Sequence, residues 1–117
     1  MVYDLEDRTK SFGLAVIKFC RSIGRDNINS PLISQIVRSA TSIGANYNEA
    51  NGAASKRDFK SKIYICKKES RETKYWLEII ASSNPTYQEQ VKPLWKEAQE
   101  LTLIFSKIVL TIDKKIE

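Results

Sequence analysis

The sequence predicts an all-α protein, an antiparallel up-down-up-down four-helix bundle that forms one domain over residues 1–117. Three observations point there. Apolar residues recur at alternating steps of three and four in four separate stretches, the period of a helix with one inward face. Only four Gly and three Pro interrupt 117 residues. The stretches are joined by loops of roughly four to eight residues, short enough to force each helix to return beside its predecessor. No alternating strand pattern or internal repeat competes.

The first stretch opens at Asp4, a good N-cap, and places Leu5, Thr9, Phe12, Val16, Phe19 and Ile23 on one face. Asp4, Glu6 and Asp7 at its start and Lys18, Arg21 and Arg25 near its end complement the helix dipole, and Gly24 is the expected terminator. After a polar loop at Asp26-Asn27, Ser30 is the expected cap of the second helix, with Pro31 at the first helical position, where a missing N–H costs nothing. Its inward stripe is Ile36, Ala40, Ile43 and Tyr47. Small residues from Ser39 to Ala45, Gly44 included, predict close approach of a neighbouring helix.

Asn51-Gly52 ends that helix. Ser55-Lys56-Arg57-Asp58 reads as a capping box with Asp in place of Glu or Gln, and the third helix turns Phe59, Ile63, Cys66, Ser70, Thr73, Leu77 and Ile80 inward until Ser82-Ser83-Asn84-Pro85 breaks the pattern. Thr86-Tyr87-Gln88-Glu89 reads as a full capping box. The fourth and longest helix then carries the strictest spacing of the chain: Val91, Leu94, Ala98, Leu101, Phe105, Ile108 and Ile112.

Composition narrows the function. Apolar residues make up 42% and charged residues 28%, the balance of a folded chain. The acidic start, Asp4 to Asp7, lacks the basic and apolar regions of an export signal, and no stretch approaches the roughly 18 apolar residues of a membrane span, so a cytoplasmic protein without a membrane role is expected. There is no histidine, which removes the commonest general base and transition-metal ligand. Cys20 and Cys66 are far apart and form no C-x-x-C motif, so both read as buried structural thiols. Gly44 and Gly52 belong to no phosphate-cradling pattern. Neither cofactor nor metal is expected, and the chain does not read as an enzyme.

Carboxylates Glu69 and Glu72 lie one turn apart and could hold a divalent ion or work as acid and base. No second carboxylate-rich helix accompanies them, and the structural reading, in which they pair with Lys68, Lys74 or Arg38 across the bundle, is favoured. The positive feature is charge. Of the net +5, the segment from Lys56 to Glu78 supplies four, with eight Lys/Arg against four Asp/Glu. Lys60, Lys67, Arg71 and Lys74 line up on one face of the third helix with Tyr64 in the gap, and Lys56 and Arg57 extend the stripe at its start. Such a stripe can track a phosphate backbone, which makes RNA or DNA the expected partner; a solvated surface is the bland alternative. Phe12 to Cys20 and Leu101 to Leu110 carry more apolar surface than one inward stripe needs. Leu14, Ile17, Leu103, Ile104 and Leu110 are therefore expected to bury against a second copy, giving a homo-oligomer. A protein-interaction scaffold with no nucleic-acid role is the competing reading.

The run from Gln35 to Ala50, QIVRSATSIGANYNEA, together with Ser55, Asp58-Phe59, Lys62, Lys68-Glu69-Ser70, Glu72-Thr73 and Tyr75-Trp76-Leu77, resembles the 23S ribosomal-RNA intervening-sequence family of four-helix bundles. Asn46-Tyr47-Asn48-Glu49-Ala50 stands where many members read N-I-x-E-G, the mark of a variant branch. The resemblance implies an up-down bundle that assembles as a ring, a pentamer as in the similar accessory proteins of diversity-generating retroelements, which bind nucleic acid and a reverse transcriptase. It implies no catalytic residues.

Overall fold

A computed structural model of the chain describes residues 4–116, and among them four helices account for nearly all of the backbone: α1 Leu5–Ser22, α2 Asn29–Asn51, α3 Lys56–Ser83 and α4 Gln88–Ile116, with one 3₁₀ turn at Pro85–Tyr87. Cross-helix contacts fix their directions. Between α3 and α4, Lys60 meets Asp113, Lys74 meets Gln99 and Glu78 meets Trp95, so one index rises as the other falls. The same order holds between α2 and α3, where Glu49 meets Lys62, Ile43 meets Cys66 and Ser39 meets Thr73. Arg8 reaches Glu97 while the end of α1 reaches Tyr87, so α1 and α4 are antiparallel as well. The result is the antiparallel four-helix bundle, 48 × 21 × 21 Å in extent.

Local chemistry sets most boundaries. The side chain of Asp4 accepts from the Asp7 N–H at 3.3 Å, and Ser55 Oγ accepts from the Asp58 N–H at 3.0 Å; each satisfies one amide that the first helical turn leaves free. Two expected starts differ. α2 begins at Asn29, and its cap oxygen comes from Asp26, whose Oδ1 accepts from the N–H groups of Ile28 at 2.9 Å and Asn29 at 2.6 Å. Pro31 is thus the third helical residue, still within the first turn, whose amides have no intrahelical partner. The capping box at Thr86–Glu89 does not form. Pro85 starts a 3₁₀ turn instead, and the Tyr87 hydroxyl reaches back to the segment just after α1, accepting from the Gly24 N–H at 3.1 Å.

That end of the bundle is latched by a reciprocal amide pair. Asn29 Nδ2 donates to Asn84 Oδ1 at 3.1 Å while Asn84 Nδ2 donates to Asn29 Oδ1 at 3.0 Å, and each also donates to a backbone carbonyl, Gly24 and Ile80 respectively. The buried amide of Asn29 thereby keeps its hydrogen bonds, which is what makes its burial tolerable.

The core follows the inward stripes. All six stripe residues of α1 are buried, as are Ile36, Ala40 and Ile43 of α2 and every stripe residue of α3 except the half-buried Phe59. On α4, Val91, Ala98, Leu101 and Phe105 are buried, joined by Thr102 and Val109, while Leu94, Ile108 and Ile112 are half-buried. For Ile108 and Ile112 the difference is one of length: α1 has 18 residues and α4 has 29, so the last turns of α4 run on past the first described turn of α1. There Tyr47 of α2 packs its ring 6.1 Å from that of Phe105.

α1 and α2 come closest at two glycines. A Cβ on Gly44 would stand 3.3 Å from Thr9 Oγ1, and one on Gly13 would stand 3.7 Å from the Ala40 carbonyl oxygen and the Thr41 Cα. Close approach at Ser39–Ala45 is therefore realised against α1.

Candidate nucleic-acid interface

α3 is the helix with most charge, and its neighbours divide that charge into three strips. On the flank facing α2, Arg38 spans two carboxylates: Nη1 donates to Glu69 Oε2 at 2.8 Å, and Nη2 donates to Glu72. The Glu69 side chain is 6% exposed and that of Arg38 47%, so the guanidinium caps a carboxylate that is otherwise out of water. The hydrogen bond to Glu72 is the main reason the Arg38 pKa is raised above its ordinary value, and the bond to Glu69 adds to it. The place a divalent cation would take between Glu69 and Glu72 is filled by that guanidinium. Two turns towards the start of α3, Lys62 pairs with Glu49 at 3.4 Å.

On the flank facing α4, two cations of the sequence-predicted stripe are engaged. Lys60 pairs with Asp113, which raises its pKa. Lys74 donates to Gln99 and lies 5.5 Å from the centroid of the Trp95 ring, whose Nε1 donates to Glu78 at 3.0 Å.

The third strip faces outward. Lys56, Arg57 and Arg71 are exposed and Lys67 is half-buried; Lys68, which the sequence reading assigned to the carboxylates, is exposed here too. None of these five forms an ion pair with a described residue. Tyr64 and Tyr75 are exposed on the same face. Tyr64, Lys67, Lys68, Arg71 and Glu72 line a shallow hollow of about 410 Å³. Lys68 and Tyr75 could have been found from spacing alone: Lys68 is four residues after Tyr64 and three before Arg71, and Tyr75 is four after Arg71.

A family model described as 23S rRNA-intervening sequence protein matches residues 4–107. The chain belongs to that family. A solved structure of a protein of unknown function from the S23 ribosomal protein family of Bacteroides thetaiotaomicron is 30% identical, covers 90% of this chain and 97% of its own, and superposes with a TM-score of 0.81. No curated protein matches. Neither description names an enzymatic activity.

The remaining side chains of this intervening-sequence protein bear on the same question. Cys20 and Cys66 are free and buried, and burial pushes their thiols up to about 11 and about 12, so they are un-ionised at neutral pH. Among the described residues no three His, Cys, Asp or Glu side chains come together as a metal site. No described helix is long and apolar enough to cross a membrane. Of the five residues expected at an oligomer interface, Leu14, Leu103 and Leu110 are more than half exposed, and Ile17 and Ile104 are half-buried. Leu14 and Ile17 border a groove of about 430 Å³ between α1 and α2, floored by Gly13, Thr41 and Gly44. Leu103 and Leu110 stand seven residues apart on α4, two helical turns along one face.

Proposed function

We propose that this chain is a non-enzymatic, self-associating adaptor that binds RNA or DNA through the outer face of α3. The observation that carries the reading is the set of unpaired cations: Lys56, Arg57, Lys67 and Arg71, with Lys68, have no acidic partner among the described residues. Elsewhere on α3, Lys60, Lys62, Glu69 and Glu72 are paired with charges from the neighbouring helices. A row of cations left free attracts an extended polyanion and makes its affinity depend on counterion release. Lys60 and Lys74 belong to the same face at its edge and add to its field while held by α4.

Self-association has its own support. Large apolar side chains exposed on two different helix faces are surfaces that a further copy can cover. When one face meets a different face of the next copy, the contact is heterologous and closes into a ring where the rotation permits, in keeping with the five-membered ring implied by the family resemblance. Each added copy repeats the α3 face, so a polyanion long enough to touch several copies gains avidity without any new contact.

Light scattering on the purified protein, with and without a short RNA at low and then high salt, tests both parts. The expected result is a multimer that binds RNA at low salt and releases it steeply as salt rises. Lys67→Glu with Arg71→Glu should weaken binding at low salt, and each lost phosphate contact should flatten the salt dependence by about one unit of log–log slope. A multimer that ignores RNA at every salt concentration overturns the nucleic-acid reading and leaves the protein scaffold. A monomer overturns the self-association part, for which Leu103→Glu and Leu110→Glu are the matching disruptive variants.

A further inference from the structure

The outer face of α3 differs from the other cationic surfaces of the molecule in one respect. On α1 the exposed Lys10, Lys18 and Arg21 have no exposed aromatic residue among them, because Phe12 and Phe19 are in the core. On α4 the exposed Lys96, Lys107 and Lys114 alternate with leucines. Only on α3, among the described residues, are cations interleaved with exposed aromatic rings: Tyr64 at 47% and Tyr75 at 54% exposure. Eleven residues separate the two tyrosines, which puts them about 20° apart around the helix and roughly 16 Å apart along it. Lys67, Lys68 and Arg71 lie between.

From this we infer that the ligand class of the face is single-stranded nucleic acid, with Tyr64 and Tyr75 as stacking surfaces for unpaired bases and Lys67, Lys68 and Arg71 as the phosphate contacts. The inference rests on the proposed nucleic-acid role and adds the kind of strand. A duplex hides its base faces and offers this helix only phosphates, which the cations alone would serve. Two exposed rings in register with the cations are useful only to bases that are free to stack. Each ring has a neighbour within the chain. Lys60, anchored by Asp113, sits 5.9 Å from the Tyr64 centroid, and Tyr75 packs edge-on against Trp76 with centroids 5.0 Å apart. The hollow beside Tyr64 is within the usual size of a small-ligand site, and its one acid, Glu72, is already bound by Arg38, so it does not repel a phosphate as a free carboxylate would.

The test is fluorescence anisotropy of the full chain with two labelled probes of equal length, an unstructured oligouridine and an RNA duplex, at one low salt concentration. Wild type is expected to bind the oligouridine at least tenfold more tightly than the duplex. Tyr64→Ala and Tyr75→Ala should each weaken the oligouridine complex by roughly tenfold and leave the duplex complex unchanged, while Tyr64→Phe, which keeps the ring, should retain wild-type affinity. Both positions are on the surface, and circular dichroism checks that each variant is folded. Equal binding of the two probes, or tyrosine variants that bind oligouridine like wild type, overturns the stacking inference and leaves the charged face standing. Failure of both probes to bind wild type overturns the proposed nucleic-acid function along with it.

Discussion

Arg38→Met should destabilise the bundle far more than an ordinary substitution at a residue this exposed. The Glu69 carboxylate is buried, and its described partner is Arg38 Nη1 at 2.8 Å. Removing the guanidinium leaves that charge in the α2–α3 seam with nothing to neutralise it and frees Glu72 from its second bond. A hydrogen bond to a charged group contributes about 1.5–3 kcal/mol, and stranding a fully buried ion costs about 3–5 kcal/mol. Because Arg38 is nearly half exposed, water screens the pair and the loss falls below the fully buried figure, at about 2–3 kcal/mol for the variant. With an unfolding entropy of about 2.1 cal/mol/K per residue, this corresponds to a fall in Tm of roughly 8–12 °C. Thermal unfolding followed by far-UV circular dichroism measures it, and the double variant Arg38→Met/Glu69→Gln supplies the control. Once the carboxylate is an amide there is no stranded charge, so the double variant should recover most of the loss. A single-variant loss within about 0.5 kcal/mol, the range of neutral surface changes, or a double variant no better than the single one, refutes the argument.

Three further outcomes follow from the packing and the charges. Gly44→Leu should cost about 1–3 kcal/mol by forcing α1 and α2 apart at Thr9, whereas Gly13→Ala, whose Cβ meets only ordinary contact distances, should gain up to about 1 kcal/mol of helix propensity; urea denaturation separates the two. Cys20 and Cys66, with thiols raised to about 11 and about 12 by burial, should resist a thiol-labelling reagent at mildly alkaline pH in the native protein and react fully in denaturant. Glu97 is held below the usual carboxylate range chiefly by its hydrogen bond from Arg8, so the stability it contributes is present above the unfolded value of roughly 4.3 and is lost as pH falls through the lower folded value. Arg8→Gln should therefore be less stable than wild type at neutral pH, with the difference narrowing in acid unfolding titrations.

What could be read from the sequence was what depends on spacing along one helix. The inward stripes of α1 and α3 emerge almost residue for residue because burial of a helix face imposes its own period, and the Ser55 cap was legible because its partner amide is three residues away. The misplaced starts have physical causes of the same locality. Asp26 caps α2 through a turn that precedes the helix, and Pro31 is tolerated anywhere in the first turn, so it did not mark one position. Thr86 lost its capping role because Pro85 began a 3₁₀ turn one residue earlier and the Tyr87 hydroxyl had partners at and just beyond the end of α1. For the candidate interface, the excess charge of the third helix was legible in the sequence. The sequence could not show that Lys60 and Lys74 lean onto α4, because Asp113 and Gln99 lie far along the chain, nor that Arg38 would occupy both carboxylates and leave Lys68 free.

The pairing pattern also explains how one helix can be both a structural element and a charged surface. A helix has room for about three angular sectors between its neighbours, and α3 assigns each its own electrostatic task. The α2 flank sets Glu69 and Glu72 against Arg38 and Lys62 against Glu49; the α4 flank sets Lys60 against Asp113, Lys74 against Gln99 and Glu78 against Trp95. Charges on the flanks are thus paired by the fold itself and contribute to its register. The outward sector is relieved of that task, so its five cations can remain unpaired with little effect on stability, since surface charges contribute about 0–1 kcal/mol each way. Substitutions there should therefore separate cleanly from substitutions on the flanks. Charge reversal at Lys67, Lys68 or Arg71 should change ligand affinity and its salt dependence while leaving Tm nearly fixed, whereas breaking the Arg38 fork should lower Tm without directly removing a cation from the outer face.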